Sequence, residues 1–219
     1  MTDIPTAEGP AGSLLTLLTW FSPAFPVGAF AYSHGLEAAI QEGAVSDAAA
    51  VADWIETLLR SGSGWNDLVL LSVALKGEAL PDDLSDLAAA LSGSMERRAE
   101  TLALGDAFAR AVRPWADVDP GRPYPIAVAH AARQGGFRQS DVLLAYAHGF
   151  ASSLVSASVR LVPLGQSEAT AILKRLEPVL AEVAACAVNA GLDDLGSRSL
   201  LSDVASMRHE TLATRLFRS

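Results

Sequence analysis

The chain carries one cysteine, Cys186, which rules out an internal disulfide and fits a reducing, cytoplasmic setting. Aromatics are scarce at 6%, so closely packed helices are a better expectation than a β-sandwich. Lys, Arg, Asp and Glu make only 19%, below the roughly 25% of ordinary soluble domains, which hints at surface covered by a partner. Basic residues are missing altogether before Arg60, so the N-terminal apolar stretch lacks the charged region of a signal peptide. The net charge of −9 argues against nucleic acid as a partner. No G-x-x-x-x-G-K-[ST] loop is present, which excludes the P-loop manner of holding a nucleotide. His34, His130, His148 and His209 are far apart in sequence, so neither a metal site nor a cofactor is expected. Ser152 and Ser153 lack both the glycine elbow and the base of a serine nucleophile, and no catalytic residue is assigned. The long uncharged run over 142–159 contains Tyr146, His148, Gly149 and several serines. It reads as a helix packed on other helices rather than as a membrane span.

What is present is helical periodicity. Residues 47–60 carry Val51, Trp54, Ile55, Leu58 and Leu59 on one stripe, the pattern of a helix with one buried face. Further helices are predicted over 13–21, 32–42, 65–76, 82–91, 95–112, 126–134, 140–162, 167–190 and 197–217, with Pro178 expected to kink the one over 167–190. Gly43 and Gly77 supply stops. No strand alternation and no repeat appears. The expected architecture is all-α, a single-domain bundle of about 8–10 helices over 13–205, with a flexible arm at 1–12 and a basic tail at 206–219. Asp82-Asp83 and Asp193-Asp194 fit helix N-termini better than acid–base catalysis. Arg97-Arg98 fits a helix face paired with Glu96 and Glu100, or a reach toward a partner. His148 reads as a core or interface residue and His209 as a surface one.

Two segments stand apart. In residues 22–37, Pro23 and Pro26 fix their own φ and restrict their predecessors, while Gly28 permits a tight turn. Phe25, Phe30 and Tyr32 are too many aromatics for a solvated loop, and Gly35 suggests that another backbone comes close. The segment is either a rigid corner between helices or part of an interface. At the other end, Arg208, His209, Arg215 and Arg218 face only Glu210, so the two ends have opposite electrostatic character.

The segment Ser22-Pro-Ala-Phe-Pro-Val-Gly-Ala-Phe-Ala-Tyr-Ser-His-Gly-Leu-Glu37 resembles the N-terminal signature of the UreF family of urease accessory proteins. Residues 159–166, with Pro163, Gly165 and Gln166, are similar to the family's Leu-x-Pro-Leu-Gly-Gln turn. The end Met207-Arg-His-Glu…Arg215-Leu-Phe-Arg-Ser219 is similar to its C-terminus. The resemblance implies an all-helical, dimeric, non-enzymatic chaperone of metallocentre assembly in the cytoplasm. It would bridge a UreD-type protein (UreH in some species) and the GTPase UreG, and couple GTP hydrolysis to nickel insertion into apo-urease. An alternative within the same picture is a GTPase-activating protein supplying an arginine to UreG. The residues it nominates for partner binding are Tyr32, Ser33, His34, Glu37, Arg208, His209, Glu210, Arg215, Leu216, Phe217 and Arg218. The tail is expected to order when a partner binds.

Overall fold

The computed structural model describes residues 10–219, with side chains from residue 12 on. The chain is all-α. Ten α-helices and two short 3-10 turns occur among the described residues, and no strand does. The helices are α1 (Pro10–Trp20), α2 (Leu36–Gln41), α3 (Ala48–Ser61), α4 (Ser63–Lys76) and α5 (Pro81–Ala90), followed by α6 (Met95–Ala111), α7 (Tyr124–Gln134), α8 (Gln139–Leu161), α9 (Gln166–Asn189) and α10 (Leu200–His209). The first helix begins at Pro10 rather than at residue 13. Of the arm expected at 1–12, residues 1–9 lie outside the described residues.

Local chemistry accounts for most boundaries. The Asp47 carboxylate accepts from the Ala50 amide at 2.9 Å, so Asp47 caps α3. Ser94 does the same for α6, accepting from the Arg97 amide at 3.1 Å. Pro81 and Pro125 occupy first turns, where a missing N–H costs nothing. The uniformly apolar α4 is the centre of the bundle, buried from Asn66 to Ala74 and packed on α3, α7, α8 and α9. The short 162–165 connection makes α8 and α9 antiparallel neighbours. Trp20 anchors α1 by standing edge-on to Phe108 and Phe137, at 5.5 and 5.2 Å between ring centres.

Two predicted helices are shorter than expected. Residues 32–35 are not helical, because His34 and Gly35 both adopt positive φ (51° and 76°), and α2 starts only at Leu36. Gly35 therefore precedes the helix instead of lying inside it. A Cβ there would sit 2.8 Å from the Ser206 amide nitrogen, so α10 packs directly on this backbone. At the other end the helix predicted over 197–217 is confined to Leu200–His209, and residues 210–219 continue as turns and bends.

Candidate functional site

The two ends of the chain meet. The shaped loop contains Pro23 and Pro26, both exposed, and Gly28 at φ 80°, which opens the 3-10 turn Ala29–Ala31. This turn presents its backbone to the tail. The Arg218 amide donates to the Ala31 carbonyl at 2.8 Å, and the Ser33 amide donates to the Ser219 backbone oxygen at 2.7 Å. The Ser33 hydroxyl donates to the same oxygen. Just beyond, the Glu37 carboxylate, 1% exposed, accepts from the amides of Leu216 (2.8 Å) and Phe217 (3.0 Å). Phe217 is buried, whereas Leu216 is 71% exposed. The tail expected to order on a partner thus lies, in the single chain, along residues 31–37.

Beneath it runs a chain of buried ionic groups. His209 is 0% exposed, which corrects its assignment to the surface. Its Nε2 is 3.0 Å from Glu37 Oε2 and its Nδ1 is 2.6 Å from Glu96 Oε2; Arg215 holds the other oxygen of Glu96. One turn further along α6, Glu100 receives His34 Nε2 (3.0 Å), Arg97 Nη1 (3.2 Å) and the Ser219 hydroxyl (3.0 Å). Arg97 also reaches Asp67 at 2.6 Å, and Asp67 accepts from the Tyr146 hydroxyl at 2.9 Å. Arg97 thus keeps the expected pairing with Glu100, but as a buried core arginine, while Glu96 turns to His209 and Arg215. Burial alone would raise the Glu37 carboxyl, but the Leu216 amide, His209 and the Phe217 amide outweigh it and hold it below the usual range. Burial opposes ionisation of Glu100 too, yet Arg97, His34 and Ser219 bring it down to about 2. Desolvation, reinforced by Asp67, pushes the Tyr146 hydroxyl well up, so it stays a donor.

Of the nominated residues, the structure brings together Ser33, His34, Glu37, His209, Arg215, Leu216, Phe217 and Arg218. Arg208 turns outward to Glu42 at 2.7 Å, and Glu210 accepts from the Met95 amide at 2.8 Å. Tyr32 is buried at the end of the 3-10 turn. Pro163, Gly165 and Gln166 form the separate α8–α9 turn, where the Glu168 carboxylate accepts from the Gly165 amide at 2.8 Å. Glu96, Arg97, Glu100, Asp67 and Tyr146 were not nominated. The i, i+4 spacing of Glu96 and Glu100 around Arg97 was the available signal. Among the described residues no group of three or more His, Cys, Asp or Glu is arranged to hold a metal.

A second surface lies beside α1 and the start of the shaped loop. An apolar groove of about 1130 Å³ runs between α1, α8 and α9, bordered by Leu14 and Leu18, 58% and 61% exposed. Along its α8 wall stand Asp141, Ala145, His148, Ser152, Ser156 and Arg160, and His148 is exposed there rather than in the core. The apolar run of α8 is long enough to cross a membrane, but half of it is buried against the bundle.

Comparison with known proteins bears on the whole length. The UreF family model matches residues 45–177. The chain belongs to the UreF family. It is 46% identical to urease accessory protein UreF 1 of Brucella canis over 98% of both chains. It is 47% identical to urease accessory protein UreF of Rhizobium leguminosarum, over 94% of this chain and 96% of that one. Against the same protein of Cereibacter sphaeroides the identity is 50%, over 95% and 100%. The family segment at 45–177 stops short of both joined ends, while the relatives align across nearly all of the UreF chain. A urease accessory role follows from this membership.

Proposed function

We propose that this chain is a non-enzymatic cytoplasmic scaffold that bridges a UreD/UreH-type protein and the UreG GTPase. Through that bridge it couples GTP hydrolysis to delivery of nickel into apo-urease. The observation that carries the reading is the joint between the ends. Its inner side is saturated by buried ion pairs, so Ser33, His34, Glu37, His209 and Phe217 act by fixing the tail's path. Its outer side presents Leu216, Met207, Arg208 and Arg218, a mixed apolar and basic surface of the kind protein interfaces use. A partner that reads this surface selects the docked tail.

The second surface fits a second copy of the chain. Two copies of α8 laid antiparallel about a two-fold axis place Asp141 of one copy across from Arg160 of the other, at both ends of the contact. Ala145, Ser152 and Ser156 between them are small enough for close approach, and the exposed Leu14 and Leu18 flank the seam. Arg160 has no ion-pair partner among the described residues, only the Phe30 ring at 5.9 Å.

The test is co-purification with the other urease accessory proteins. The full chain is expected to capture the UreD-type protein and UreG, and a chain lacking 210–219 to remain folded and dimeric but to lose that capture. Normal assembly by the truncated chain would overturn the reading. Single-turnover GTP hydrolysis by UreG separates scaffold from activator: an acceleration abolished by replacing one exposed arginine would favour the activating role.

A further inference from the structure

A cleft of about 80 Å³ lies among α4, α5, α6 and α10. Apart from Leu58, Leu70, Ala88, Leu91 and Gly93, every residue lining it is polar or charged. The hydrogen-bonding capacity of three of those residues is not used up within the protein. Asn66 accepts from the Gly196 amide at 2.9 Å, which fixes that end of its side chain as the oxygen. The two N–H bonds of its Nδ2 have no acceptor among the described residues. Asp67 Oδ2 takes both Arg97 (2.6 Å) and the Tyr146 hydroxyl (2.9 Å), while Asp67 Oδ1 takes nothing. Arg97 spends Nη2 on Asp67 and Nη1 on Glu100 (3.2 Å), and its Nε–H is left over.

These three side chains are only 8%, 8% and 9% exposed, so bulk solvent reaches little of them. Among the described residues the partnerless side-chain atoms sealed by packing are Trp20 Nε1, Trp54 Nε1, Arg122 Nε and Ser152 Oγ. Asn66 Nδ2, Asp67 Oδ1 and Arg97 Nε are not sealed, and the space they meet lies in the cavities they line. Asp67 and Arg97 also border a cavity beneath the shaped loop, whereas Asn66 faces the cleft.

Spare donors thus stand beside a spare acceptor. Two carboxylates, Asp67 and Glu100, share the one guanidinium of Arg97, and interior charge of this kind is costly unless it is solvated. An anion in the cleft would meet Asp67 and Asp203, and a cation would meet the N–H bonds of Asn66 and Arg97. Water, which both donates and accepts, suits the whole set. A cavity takes a water once it offers roughly 10–15 Å³ and two to four polar partners, and the cleft offers more of each. We propose that the cleft is a structural-water site: ordered water accepts from Asn66 Nδ2, donates to Asp67 Oδ1 and hydrates the buried Asp67–Arg97–Glu100 cluster.

A high-resolution crystal structure of the full chain tests this without any substitution. Ordered water is expected within about 2.7–3.2 Å of both Asn66 Nδ2 and Asp67 Oδ1. Xenon enters dry apolar cavities, so the same crystals held under xenon pressure should show none of it in the cleft. In solution, the Asn66 side-chain amide protons should give cross-relaxation peaks with water of the sign that marks held rather than passing molecules. Water at only one of the two atoms, an ion or buffer molecule in its place, xenon density in the cleft, or amide protons without that water signal overturns the proposal.

Discussion

Glu37→Gln is the sharpest probe of the joint, because the carboxylate receives three donors at once: the amides of Leu216 and Phe217 and the Nε2 of His209. Glutamine has the same shape but only one acceptor atom. Whichever way its amide is turned, an NH2 group points at the donors that one carboxylate oxygen held. On the structure's assignment Oε1 serves Leu216 and Oε2 serves Phe217, so either orientation removes the acceptor of one tail amide and leaves the other on an uncharged oxygen. Hydrogen bonds to a charged group contribute about 1.5–3 kcal/mol each, so the tail's docking should weaken by about 3 kcal/mol or more, on the order of 100-fold. Because α4 is held by its packing on α3, α7, α8 and α9 and not by the tail, the loss should be local. Hydrogen exchange should show the 210–219 amides deprotected while those of the buried α4 residues Leu68–Leu71 keep wild-type rates. Tail protection within about threefold of wild type would refute the hydrogen-bond accounting. A parallel fall in α4 would show that Glu37 supports the whole fold rather than the joint.

The Glu100 carboxyl, held down to about 2, should contribute stability that is present above its ordinary value of 4.5 and lost as pH falls toward 2. That loss amounts to roughly 3 kcal/mol, and Glu100→Gln should flatten the acid limb of urea midpoint against pH. Gly105→Ala would put a Cβ 1.8 Å from the Arg122 carbonyl oxygen, where backbone rather than a side chain must yield. A destabilisation of about 3 kcal/mol and a fall in Tm of about 10 °C are expected by differential scanning calorimetry. Gly191→Ala meets nothing within 4 Å and serves as the unchanged control. For the α8 pairing, Arg160→Glu should weaken dimerisation at least about 10-fold in sedimentation equilibrium, and adding Asp141→Arg should restore it. A dimer constant untouched by either variant would remove α8 from the interface.

Local rules made most of the bundle legible. The stripe of α3, the Gly77 stop and the prolines at 81 and 125 each act within a turn or two of chain, so their effects can be seen without knowing the fold. The joint was legible only in halves. An acid-only stretch before Arg60 and a basic tail were both visible as opposite charge at the two ends, with no sign that the ends meet. Within the chain that complementarity is already spent, as Glu37 takes the tail's amides and His209, and Glu96 takes His209 and Arg215. Composition could not reveal this, since the partners lie at opposite ends of the sequence. The helix expected through residue 217 fails for the same reason. Helix propensity in a short terminal segment is weak, and two amides that would have bonded four residues back bond instead to Glu37. The positive φ of His34 likewise carries no local signal, and the partners of its ring, Glu100 and Ser63, lie far along the chain.

The way the joint is built bears on what it is for. Replacing buried ion pairs by packed apolar groups often stabilises a protein, so a joint made chiefly of Glu37, Glu96, Glu100, His34, His209 and Arg215 is not optimised for strength. The tail contributes one fully buried apolar side chain, Phe217, and a partly buried Leu212, while Leu216 is left in solvent. Its hold on the body is therefore mostly polar, directional and sensitive to each partner, which places it among the segments that open well before the core does. A segment of this kind can be biased by modest energies, such as a partner's contact with an exposed leucine and two arginines. An apolar tail of equal length would dock more firmly and respond less.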